Sequence, residues 1–163
     1  MNELLSKSFL DREQLVMTYA RAVCDSVLAV SSQLPYMSKV FFFATLDKLA
    51  NVLKRLGKFN DETEAFKHLI DASFLDGPLL TFLQSVPGAI GTHLCNVVTS
   101  VSDELKIQQL SPDDIRDLRN SHHGYHLRPE TVRRLYGRSG ELNNDVTLLA
   151  TPLVLWCLSE PWN

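Results

Sequence analysis

Residues 119 to 126 read RNSHHGYH. Three of the chain's five histidines, His122, His123 and His126, fall within five positions, directly after Arg119 and Asn120. Histidine changes charge near neutral pH and so can take or give a proton. Arginine can stabilise charge developing on phosphoryl oxygens. One reading is therefore acid–base chemistry on a phosphate. Two others stand beside it. His122 and His126 are four apart, a workable zinc spacing, although no HExxH pattern occurs and Arg119 would repel a cation. Histidines in the last turn of a helix also suit the negative end of its dipole, with no chemistry at all.

The element that must carry these residues starts at Ser111-Pro112-Asp113-Asp114. Serine caps, proline takes the first helical position and two acids meet the positive end of the dipole. If that helix runs through the octet, Arg116, Arg119, His123 and His126 stand at i, i+3, i+7 and i+10 and form one stripe. Asn120 lies one turn after Arg116. Gly124 is a candidate end, which would leave His126 to be placed by a loop. No GxSxG, Walker loop or GxGxxG occurs to suggest another chemistry. RNA brings its own nucleophile, the 2′-hydroxyl, and would need none from the protein.

The rest of the chain reads as helices. Leu15, Tyr19, Val23, Val27 and Val30 recur at spacings of three and four between Asp11 and Leu34, which predicts a helix buried on that face and stopped by Pro35. A second helix is expected over 37–56, with Phe41, Leu46, Leu49, Leu53 and Leu56 inward and Gly57 as its C-cap. Asp61 and Glu64 form a capping-box arrangement ahead of a third, with Phe66, Leu69, Ile70 and Phe74 as its apolar face. A short helix to Val86, another over 89–109, one over 128–136 and a last one over 144–158, kinked or restarted at Pro152, complete the pattern. The expected fold is all-α: one domain over 1–163, a bundle of five to seven helices.

Composition agrees with a globular chain. Apolar residues make up 45% and charged residues 21%, and the net charge is −3. No signal-peptide pattern and no membrane-length apolar run is present, which suggests a cytoplasmic protein without membrane attachment. Three scattered cysteines without a CxxC argue against disulfides and are expected to be buried apolar thiols. The charge is uneven. Six of nine arginines lie between Arg116 and Arg138, where only Asp117 and Glu130 oppose them, a local balance of +4. Arginine suits bidentate phosphate contact, while the plain alternative is a solvated basic face.

In LRNSHHGY the chain resembles the arginine–polar–spacer–histidine signature of HEPN domains. The wider DIRDLRNSHHGYHL resembles the RNxxHG version found in bacterial HEPN-like proteins. The resemblance implies a HEPN-like helical bundle acting as a metal-independent ribonuclease of defence or toxin–antitoxin type, with no cofactor. It implies a homodimer whose two motifs face one cleft, with an antitoxin or defence-complex protein as a possible partner. Arg119 matches the catalytic arginine and Asn120 the polar residue. The histidine is His123 by the RNxxHG pattern and His126 by the longer spacing. Arg116, His122, Tyr125, Arg128 and Arg133 are the expected RNA phosphate contacts. Family members that have lost catalysis imply an alternative, a binding or scaffold module for a protein or nucleotide. DNA binding through the Ser111 helix is disfavoured by Asp113 and Asp114 at its start.

Overall fold

The structure, a computed structural model, describes residues 9–73, 77–107, 112–122 and 144–159. Those residues are helical nearly throughout, with no strand among them. The order is α1 (Phe9–Ser31), α2 (Pro35–Arg55), α3 (Glu62–Ala72), α4 (Pro78–Ser85), α5 (Gly88–Ile107), α6 (Pro112–His122), a 3-10 turn (Asn144–Leu149) and α7 (Ala150–Ser159). The expected all-α bundle is therefore what forms. The helix and loop expected over 128–140 lie outside the described residues.

Local chemistry sets the boundaries. Pro35 occupies the first turn of α2, where its missing N–H costs nothing. Gly57, at φ 78°, ends that helix in the left-handed region. At the start of α3, the Glu64 N–H donates to Asp61 Oδ1 at 2.8 Å. The returning arm lands one residue early: Glu64 Oε2 accepts from the Asn60 N–H at 3.3 Å. Between α4 and α5 the chain turns so tightly that a Cβ on Gly91 would run into the Val86 carbonyl.

The core sits between α2, α3, α4 and α7. Phe42, Phe43, Leu46, Phe66, Leu69 and Leu83 are fully buried there. Burying each such side chain contributes about 1.5–3 kcal/mol. α1 packs along α2 and α7. Its join to α2 is latched by Ser38 Oγ, which donates to the Ala29 carbonyl, and by the Lys48–Asp25 ion pair. Its join to α7 includes a buried hydrogen bond between Tyr19 and Cys157. Ser102 Oγ of α5 donates to the Ser73 carbonyl beyond α3 at 2.5 Å.

Two expectations change here. On α1, Leu15 is buried and Tyr19 half-buried as expected, but Val23, Val27 and Val30 face outward; Ala22, Ser26 and Ala29 are inward instead. Close approach of α1 to its neighbours takes small side chains on the contact face, and the valines are left outside it. Of the cysteines, only Cys157 is buried; Cys95 is half-buried and Cys24 is exposed. Among the described residues no helix is long and apolar enough to cross a membrane.

Candidate functional site

α6 is a polar helix, and its described contacts with the bundle are largely charged. Its first turn holds Asp113 and Asp114. Lys67 of α3 reaches Asp113 Oδ1 at 2.9 Å, and Arg116 lies 3.4 Å from the same oxygen. Arg116 also stands 3.6 Å from Asp117, whose side chain is almost fully buried. Asp114 is buried too. Arg116 therefore faces acids on its own helix.

Arg119 is fixed from three sides. Its Nε donates to Asp47 Oδ1 of α2 at 2.8 Å, and its Nη2 lies 2.7 Å from that oxygen. Its Nη1 donates to Asn120 Oδ1 at 2.8 Å. Its guanidinium carbon sits 5.3 Å from the centroid of the Phe66 ring on α3, a cation–π distance. A guanidinium has five N–H donors. Asp47 and Asn120 engage at most three, so one on each terminal nitrogen remains to be used. The side chains of Arg119 and Asp47 are about equally accessible, at 27% and 25%. The arrangement is a rigid, half-neutralised cation with donors left over and an amide oriented beside it.

The candidate residues thus divide. Arg119 and Asn120 are brought into contact. Arg116 is on the same helix but tied to Asp113 and Asp117. His122 is the last residue of α6. His123, Tyr125, His126, Arg128 and Arg133 lie outside the described residues. Among the described residues, no three histidine, cysteine or acidic side chains converge as a metal site would need.

Two contributors escaped sequence reasoning. Asp47 and Phe66 are 72 and 53 positions before Arg119, and nothing local announces either. One signal was available for the first: Asp47 is the lone acid in α2, a helix that otherwise carries three lysines and an arginine. Elsewhere, His68 of α3 lies against Phe59 and Trp156, with ring centroids 4.9 and 5.8 Å away. Burial lowers its pKa, and Asp71 opposes that shift. It packs between those two aromatic rings.

Comparison with protein-family models, with curated proteins and with solved structures returns no match to this chain. Its reading rests on its own residues.

Proposed function

We propose that this chain is a metal-independent, cytoplasmic ribonuclease of HEPN-like type, serving a bacterial defence or toxin–antitoxin system. The observation that carries the reading is the held guanidinium of Arg119, with Asn120 oriented on it and a histidine cluster following at once in sequence. A rigid cation with unspent donors suits the charge that builds on a phosphate as the 2′-hydroxyl attacks, because it needs no reorganisation at the moment of reaction. Proton transfer falls to His123, or to His126 if the longer spacing holds. Asn120 positions the arginine. His122, Tyr125, Arg128 and Arg133 bind flanking phosphates, whereas Arg116 is engaged by Asp113 and Asp117.

A second reading has its own support. Asp47 cancels much of the arginine's charge, which weakens any anion site built on it. A binding or scaffold module, holding a partner protein or a nucleotide, would keep Arg119 as a structural clamp on α6.

The test is incubation of the EDTA-treated protein with mixed RNA, beside an Arg119→Ala/His123→Ala variant. Metal-free cleavage that disappears in the variant is the expected result. Intact RNA in both samples overturns the enzyme reading and leaves the module.

A further inference from the structure

Asp47 meets Arg119 along one edge of the guanidinium. Nε donates to Oδ1 at 2.8 Å, and Nη2 lies 2.7 Å from the same oxygen. The Nε–Nη2 edge is a fork that can hold two oxygens of a phosphate at once. Here both nitrogens turn to one oxygen of a carboxylate. Two donors converging on a single acceptor fit less well than two parallel hydrogen bonds to two oxygens. A phosphodiester, with two non-bridging oxygens, supplies the parallel pair.

The setting lets the partner change. Both side chains stay about a quarter exposed, so an anion from solvent can reach the pair. α6 packs chiefly on α3, and Asp47 reaches it from α2. Loss of the Asp47 contact therefore leaves the helix other ties. Lys67 of α3 holds Asp113 at the start of α6, 2.9 Å away, and the Phe66 ring lies 5.3 Å from the guanidinium carbon. Asn120 takes Nη1 and leaves the Nε–Nη2 edge alone. That edge can trade one anion for another while the ring, the amide and the helix stay in place.

We infer, on the reading of Arg119 as a phosphate contact, that Asp47 is an autoinhibitory stand-in for the substrate. It fills the phosphate edge of Arg119 in the free protein, and an RNA phosphodiester displaces it. Carboxylate and phosphate are both anions, and the edge has one pair of donors, so the two cannot share it. RNA binding is then an exchange of partners at Arg119 and not an addition to a vacant cation. Simple charge cancellation would weaken anion binding by any route. Exchange confines the effect of Asp47 to Arg119.

The experiment titrates the full chain with a short 2′-O-methyl RNA oligonucleotide, which binds but cannot be cut by 2′-hydroxyl attack. Fluorescence anisotropy at low salt reads the affinity. Asp47→Asn is expected to bind about fivefold more tightly than wild type, as removal of a partly wet ionic competitor should give. Glu13→Gln makes the same charge change at an exposed position on α1 and is expected to shift affinity less than twofold. In an Arg119→Ala background the gain from Asp47→Asn should vanish. Should Asp47→Asn loosen α6, the wild type still carries the test. The Nε–H resonance of Arg119, assigned by its loss in Arg119→Lys, must move as the oligonucleotide saturates the protein. A resonance that stays in place while RNA binds overturns the exchange. So does an Asp47→Asn gain no larger than that of Glu13→Gln while Arg119→Ala still weakens binding; Arg119 then remains a phosphate contact without an internal competitor. RNA affinity indifferent to Arg119→Ala overturns the phosphate reading itself, and the exchange with it.

Discussion

Arg119 of α6 and Asp47 of α2 meet across 72 positions of sequence, with the Arg119 Nε donating to Asp47 Oδ1 at 2.8 Å. The pair sits at the edge of the bundle, partly wet on both sides, so solvent screens it. Its contribution is then about 1 kcal/mol, not the several of a dry pair. Its larger effect is geometric: one aspartate decides where the arginine points.

Replacing Asp47 by Asn keeps the shape and removes the charge. Stability to urea should fall by about 1 kcal/mol, and a double-mutant cycle with Arg119→Ala should return a coupling of similar size. If Arg119 contacts phosphate, Asp47→Asn should bind RNA more tightly than wild type at low salt, with a steeper salt dependence. RNA affinity unchanged by Asp47→Asn would favour the clamp over the catalyst.

Phe66 serves both core and site. Phe66→Ala should cost about 3–5 kcal/mol, as expected for a fully buried aromatic. Phe66→Leu keeps most of the volume and deletes the ring under Arg119. Beyond the modest repacking cost, it should lose about 0.5–1 kcal/mol of cation–π attraction. Thermal unfolding of Phe66→Leu with and without Arg119→Ala separates the two effects.

Two glycines should respond unequally to alanine. At Gly57 the only obstacle is φ 78°, since nothing lies within 4 Å of the added Cβ; the cost should be about 1 kcal/mol. At Gly91 the Cβ collides with the Val86 carbonyl and comes 3.2 Å from that of Leu83. The backbone between α4 and α5 must shift, and a loss of about 2–4 kcal/mol is expected. Equal melting temperatures for the two variants would contradict this.

Stability should fall at both ends of the pH scale. Burial lowers the His68 pKa, so the fold holds the neutral imidazole. That contribution is complete above the unfolded value of about 6.5 and is lost as pH drops through the lowered folded value. Burial raises the pKa of Cys157 and of its partner Tyr19. Their contribution is complete below the unfolded cysteine value of about 8.5 and declines as pH rises past it, when the unfolded chain gives up protons that the fold retains. Urea midpoints of His68→Phe and Cys157→Ala should show flatter acid and alkaline limbs respectively. Unaltered limbs would remove these groups from the account.

Helix positions were largely legible in the sequence because caps and prolines act locally. Pro35, Gly57, Asp61 and Pro112 mark ends that the structure keeps, to within a few residues. Which face of a helix turns inward was less so. On α3 the periodicity picks out Phe66, Leu69 and Ile70 correctly. On α1 it picks valines over alanines, because hydropathy ranks them higher. The packing instead takes Ala22, Ser26 and Ala29 inward, and the period of a second, outward-facing stripe looks the same as that of a core. The Arg119–Asn120 contact is legible as a neighbouring pair in RNSHHGYH. The Asp47 contact is not, because it depends on how α2 and α6 lie against α3, and no spacing rule spans that distance.

Asp47 and Lys48 are consecutive on α2, yet they grip different neighbours: Asp47 takes Arg119 of α6 and Lys48 takes Asp25 of α1. Successive side chains on a helix point about 100° apart, so α2 works like an axle with two pegs set at an angle. It cannot roll about its long axis without altering the reach of both at once. The outer surface of α1 and the arginine on α6, remote in sequence, are yoked through a single turn of one helix.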